Sequence, residues 1–199
     1  GYRGQLILVR TIALALCLGV LTTTGAAVAS EHLGRSTYGQ ALQWYFDAAQ
    51  SGDAQAQFLL GRKYETGTDV VRDFAEAATW YEKAARRGHI EAQFKFASLL
   101  EQGRGVPADP IGAAQWYERA AQQGYAPAQY NLAVLMLNAA STDAQRIDGL
   151  VWLLKARDQG IEAAANFMSR IEALWPAGLM AAAEQRAAGA GAPDLDRAR

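Results

Sequence analysis

Few side chains in this sequence have the type and spacing that chemistry needs. The two histidines, His32 and His89, are the first candidates for a metal ligand or general base. No Cys or second His stands at ligand spacing from either of them. His89 follows Gly88 directly, which places it in a surface turn. The single cysteine, Cys17, lies in an apolar N-terminal run. Leu16 precedes it where lipid attachment needs a small residue, and the remaining chain has no thiol for a disulfide, a metal or nucleophilic attack. Glu65 and Glu101, one on each of two related segments, could pair as acid and base, but no neighbouring residue suggests pKa tuning. Gly103-Arg104-Gly105 lacks the Lys-Ser/Thr and the preceding strand of a phosphate loop. The expectation is no catalytic residue, no metal and no cofactor.

The elements carrying these residues are organised by a period. Trp44, Trp80, Trp116 and Trp152 are 36 residues apart, and so are Gly52, Gly88, Gly124 and Gly160. Ala48, Ala84, Ala120 and Ala156 keep that step, as do Ala56, Ala92, Ala128 and Ala164. One period shared by several registers means stacked repeats. In the first half of a repeat, Ala41, Trp44, Tyr45, Ala48 and Ala49 form one helical stripe, recurring from Ala77 and from Ala113. Thr37, Asp73 and Asp109 stand at its N-cap, with Gln40 and Glu76 completing capping boxes and Pro110 at a first helical position. The glycines at 52, 88, 124 and 160 end it. A second helix runs from about Asp53 to Glu65, burying Ala56, Leu60, Gly61 and Tyr64. Its counterparts start beyond Gly88 and Gly124, and the minimal linker makes each pair an antiparallel αα-hairpin.

Composition sets the remaining limits. Hydrophobic residues make up 51% and charged residues 20%, a globular balance. The net charge of −1, with no basic block, argues against a nucleic-acid partner. Arg3 and Arg10 precede the apolar run Ile12–Leu21, and Ala27-Val28-Ala29 offers a cleavage site before Ser30. These are the parts of a signal peptide, and the run is shorter than the roughly 20 residues a membrane span needs. Loss of Arg3 and Arg10 would take the charge from −1 to −3. The expected organisation is a signal segment 1–29, a linker 30–36, a repeat solenoid 37–174, a C-terminal capping helix 175–189 and a tail 190–199. The protein is then periplasmic or secreted. The alternative is an inner-membrane anchor through an uncleaved N-terminal segment, its only contact with a membrane.

The strings ALQWYFDAAQSGDAQAQFLLGRKYETG, AATWYEKAARRGHIEAQFKFASLLEQGRGV and AAQWYERAAQQGYAPAQYNLAVLML resemble Sel1-like repeats, relatives of the tetratricopeptide repeat. The shared pattern is A-x-x-W-Y-x-x-A-A-x-x-G, then A-x-x-x-L-G-x-x-Y, and the 34-residue tetratricopeptide spacing does not fit. The resemblance implies an all-α, α/α superhelix of about four repeats with a concave groove, acting as an adaptor or scaffold. Some cysteine-rich relatives are linked to penicillin or peptidoglycan-fragment binding, but they carry a cysteine pair in each repeat.

By the same analogy the second helices line the concave side. There Phe58, Phe94 and Tyr130 share one position; Arg62, Ser98, Val134 and Arg170 share a second; Glu65, Glu101 and Leu137 share a third. An aromatic ladder with polar flanks suits a protein or extended peptide, since aromatic anchors carry much of the affinity of such interfaces. The same rings could instead pack between helices. Two other readings are a binder of a small cell-wall fragment, which needs a deep polar pocket, and a hydrolase, which needs a nucleophile–base constellation the sequence does not assemble.

Overall fold

A computed structural model describes residues 39–189, and every regular element among them is an α-helix. The signal segment, the linker, Thr37 and the tail lie outside the described residues. The chain divides into two compact units, Gly1–Asp47 and Ala48–Arg199.

Of the first unit, residues 39–47 are described; they begin helix α1, residues 39–50. Gln43 Nε2 donates to Asp47 Oδ1 at 2.9 Å, and Trp44 meets Tyr45 edge to face at 5.2 Å. Trp44 is 63% exposed, which corrects its expected place in a core stripe. Later tryptophans show what it lacks. Lys83 lies 4.0 Å over the Trp80 ring, and Arg119 and Lys155 each lie 4.4 Å over Trp116 and Trp152. Trp116 also packs against Phe96 of the preceding pair, at 5.7 Å. At the position of those cations the first repeat has Asp47.

The second unit contains α2 (Ala54–Thr66), α3 (Phe74–Arg86), α4 (Ile90–Gln102), α5 (Pro110–Gln122), α6 (Ala126–Ala139), α7 (Asp143–Asp158), α8 (Glu162–Glu172) and α9 (Ala177–Gly189). Asp73 accepts hydrogen bonds from the amides of Ala75 and Glu76, and Asp109 accepts one from Gly112 with Pro110 at N1. The reciprocal capping box forms at Thr142 and Gln145, where α7 starts, whereas Asp73 caps with its own carboxylate. First helices end in Schellman turns. The amides of Asp53, His89, Tyr125 and Ile161 reach back to the carbonyls of Ala48, Ala84, Ala120 and Ala156 at 3.0–3.1 Å. The intervening glycines carry φ between +84° and +99°, which a side chain would disfavour.

Packing gives the repeat a phase that the hairpin reading misses. Second helices pack closely on the first helix of the next repeat (α2 on α3, α4 on α5, α6 on α7), and α4 and α6 do so more extensively than on their own hairpin partners α3 and α5. The cohesive pair therefore spans the longer loop. Small residues permit this approach: a Cβ at Gly61 would stand 2.6 Å from Tyr81 Cδ1. The alanines at 77, 84, 92, 113, 120 and 128 are fully buried beside Tyr81 and Tyr117. Helix α9 lies on α7 and buries Leu179 and Ala183. Among the described residues no helix is long and apolar enough to cross a membrane.

Candidate partner-binding face

The second helices place the predicted aromatic row between repeats. Phe58 is only 5% exposed, stacked on His89 at 4.4 Å and 22° and packed against Tyr81 at 5.8 Å. It is a packing residue, and as an open anchor it is corrected. Its apolar ring fills the space between its own helix and the next repeat. Phe94 does the same against Tyr117 at 5.6 Å and Tyr125 at 5.3 Å, but it and Tyr130 remain half-buried and keep an accessible part.

The polar rows differ in how far their side chains are engaged. Arg62 and Arg170 are exposed, over the rings of Phe58 at 5.9 Å and Phe167 at 5.3 Å. Ser98 is half-buried and accepts a hydrogen bond from Gln102 Nε2 at 2.9 Å. The carboxylates serve the stack. Glu65 accepts the Tyr81 hydroxyl at 2.5 Å and the Lys95 ammonium at 3.2 Å. Glu101 accepts the Tyr117 hydroxyl at 2.9 Å, and Asn131 donates to that hydroxyl at 3.0 Å. Burial, then the bond to the carboxylate, raises the pKa of Tyr81. For Tyr117 burial is the largest cause, with the Glu101 contact adding to it against the opposing Asn131 bond. Both phenols therefore stay protonated donors. In the next repeat the partners change together: Leu137 stands at the Glu position and Leu153 at the Tyr position, both buried in one cluster. A polar pair has become an apolar pair, which leaves no stranded buried group.

His89 is more than a turn residue. It is the N-cap of α4, its Nδ1 accepting from the Ala92 amide at 3.2 Å and its Nε2 facing Gln55 Oε1 at 2.9 Å. Those bonds need a neutral ring with its proton on Nε2. Burial lowers its pKa, outweighing the opposite pull of Glu91. Among the described residues no group of three or more His, Cys, Asp or Glu is placed to hold a metal.

A row that the sequence reasoning passed over is Gln57, Gln93 and Gln129, each at most 5% exposed. Each side-chain amide donates to the last turn of the helix before it: to Ala49 at 2.9 Å, Ala85 at 3.2 Å and Ala121 at 3.1 Å. The carbonyl oxygens of Gln93 and Gln129 are served from the next repeat, where Gln123 donates to Gln93 at 2.8 Å and Gln159 to Gln129 at 2.7 Å. The available signal was a glutamine recurring every 36 residues beside a buried alanine.

Helices that repeat every 36 residues, joined by recurring part-buried hydrogen bonds, define a helical-repeat protein. The Sel1 repeat family model matches residues 35–53, 54–89, 90–125 and 126–161, and the chain belongs to that family. The last three matches begin at the second helices α2, α4 and α6, in phase with the closer packing. A Sel1 repeat protein from Oxalobacter formigenes is similar, with 34% identity and a TM-score of 0.59 over 66% of this chain and 98% of the other. A protective antigen of uropathogenic Escherichia coli strains with an SLR fold shows 30% identity and a TM-score of 0.62. That match covers 66% of this chain, which spans 28% of the antigen. Comparison with curated proteins gives no match. Sel1 repeat proteins generally act as scaffolds for protein–protein interaction.

Proposed function

We propose that this protein is a non-catalytic scaffold of the bacterial cell envelope that holds a protein or peptide partner across its second helices. The observation that carries this reading is the combination, on those helices, of half-buried Phe94 and Tyr130 with exposed Arg62 and Arg170. Amphipathic anchors beside cations suit an extended chain, which offers both side chains and carbonyls. Glu65 and Glu101, the carboxylates best placed for acid–base work, are instead bound to buried tyrosines. Export rests on Arg3, Arg10, the apolar run and Ala27-Val28-Ala29.

The test is a crosslinking pull-down from envelope extract. Wild type is compared with a Phe94→Ala/Tyr130→Ala/Arg170→Ala variant whose circular dichroism confirms folding. Loss of a specific partner set is expected, and equal recovery would reject the face. N-terminal sequencing of exported protein should begin at Ser30.

A further inference from the structure

The repeated glutamine row breaks at one place, beside a cavity. Gln57 is 3% exposed and donates to Ala49, yet its Oε1 is buried with no hydrogen-bond partner. The donors that serve Gln93 and Gln129 are Gln123 and Gln159, each 30 residues further on. The corresponding residue for Gln57 is Arg87. Its guanidinium lies against the turn instead, so close that a Cβ at Gly52 would be 2.8 Å from Nη2. A buried acceptor left unserved is costly, which makes this one an unusual feature to keep.

The cavity beside it has a volume of about 530 Å³ and is lined by Gln57, Trp80, Lys83, Arg86 and Arg87, with Ala49 and Gln50. Later repeats provide an internal comparison. The residues equivalent to Lys83, Arg86 and Arg87 are Arg119, Gln122 and Gln123, then Lys155, Asp158 and Gln159. One cation at the end of a first helix offsets its dipole and covers the tryptophan; only this repeat gathers three cations there. Arg86 is engaged by Glu82 at 2.6 Å, and Lys83 sits over the Trp80 ring at 4.0 Å. Among the described residues Arg87 forms no ion pair.

We infer that this cavity binds the C-terminal residue of a peptide, its carboxylate on Arg87 and its amide N–H donated to Gln57 Oε1. Arg87 suits an anion, and the unserved carbonyl suits a donor. A sulfate ion supplies only acceptors and leaves Gln57 unpaired, and a hydrogen phosphate ion carries its donor on the charged group itself rather than on an N–H set back from it. A peptide end carries a carboxylate one carbon from an N–H. The site is separate from the second-helix face and stands or falls without it.

Isothermal titration of the full chain with N-acetyl-dialanine, its C-terminal amide and inorganic phosphate tests the assignment. The free acid should bind at least about tenfold more tightly than the amide or phosphate, the loss expected for a charge-assisted hydrogen bond. Arg87→Gln installs the residue found at 123 and 159. It should keep or raise Tm by serving Gln57, while weakening the free acid at least about tenfold. No binding of the free acid, equal binding of the amide or phosphate, or undiminished binding by R87Q would overturn the proposal.

Discussion

The pairing of Tyr117 with Glu101 offers a quantitative test of how the repeats hold together. The Tyr117 side chain is fully buried, and its hydroxyl both donates to Glu101 at 2.9 Å and accepts from Asn131 at 3.0 Å. Tyr117→Phe keeps the ring but strands Glu101 and Asn131, which are half-buried. A stranded polar group costs about 1–3 kcal/mol, and that is the expected loss. Glu101→Leu should cost a similar amount, because it leaves a buried phenol without an acceptor. The double variant removes both halves of the bond, in the direction already taken by Leu137 and Leu153. It should therefore cost less than the sum of the single variants by about 1–2 kcal/mol, within the range found for contacting pairs. Urea unfolding followed by circular dichroism gives the four free energies, provided m is common to all. Additivity within about 0.5 kcal/mol would show that the bond does not couple α4 to α5 and would refute the reasoning.

Other positions carry their own expectations. Trp80 is 8% exposed whereas Trp44 is 63% exposed, so Trp80→Ala should cost about 3–5 kcal/mol and Trp44→Ala less than about 0.5 kcal/mol in the same denaturation assay. Gly105 has φ +73°, and a Cβ there would lie 2.2 Å from the Phe74 carbonyl carbon. Gly105→Ala should therefore lower Tm clearly, by a loss above about 1–3 kcal/mol. His89 has a lowered pKa in the folded protein, so the unfolded chain binds the proton more readily. Its contribution to stability is complete above about pH 6.5 and is lost as pH falls through the folded value. Tm measured from pH 7.5 to 5 should fall more steeply for wild type than for His89→Asp, which keeps an N-cap of the kind Asp53 provides.

Much of the architecture is written in local signals. The tryptophan period, the N-cap Asp73 and the Schellman glycines each act within a few residues, so spacing alone exposes them. What was hidden involves residues from different repeats. Phe58 has the chemistry of an anchor, but whether its ring meets solvent depends on where His89 and Tyr81 come to lie. Trp44 matches its later counterparts in sequence, yet it lacks the cation three residues on and is exposed. Gln57, Gln93 and Gln129 look like surface residues because burial of a glutamine is favourable only when both ends of its amide are met. For Gln93 and Gln129 those partners come from two different repeats. The exchange of Tyr and Glu for Leu153 and Leu137 was legible in principle, but only once the two positions were known to touch.

The interaction face is tested most directly by photocrosslinking in envelope extract. A photoreactive side chain is placed at Ser98 or Val134 on the second helices, and in parallel at exposed Gln115 or Glu118 on a first helix. A scaffold holding its partner on the second helices predicts a discrete adduct from Ser98 and Val134 and none from Gln115 and Glu118. The same adduct from both sets, or none from the second-helix positions, would contradict it.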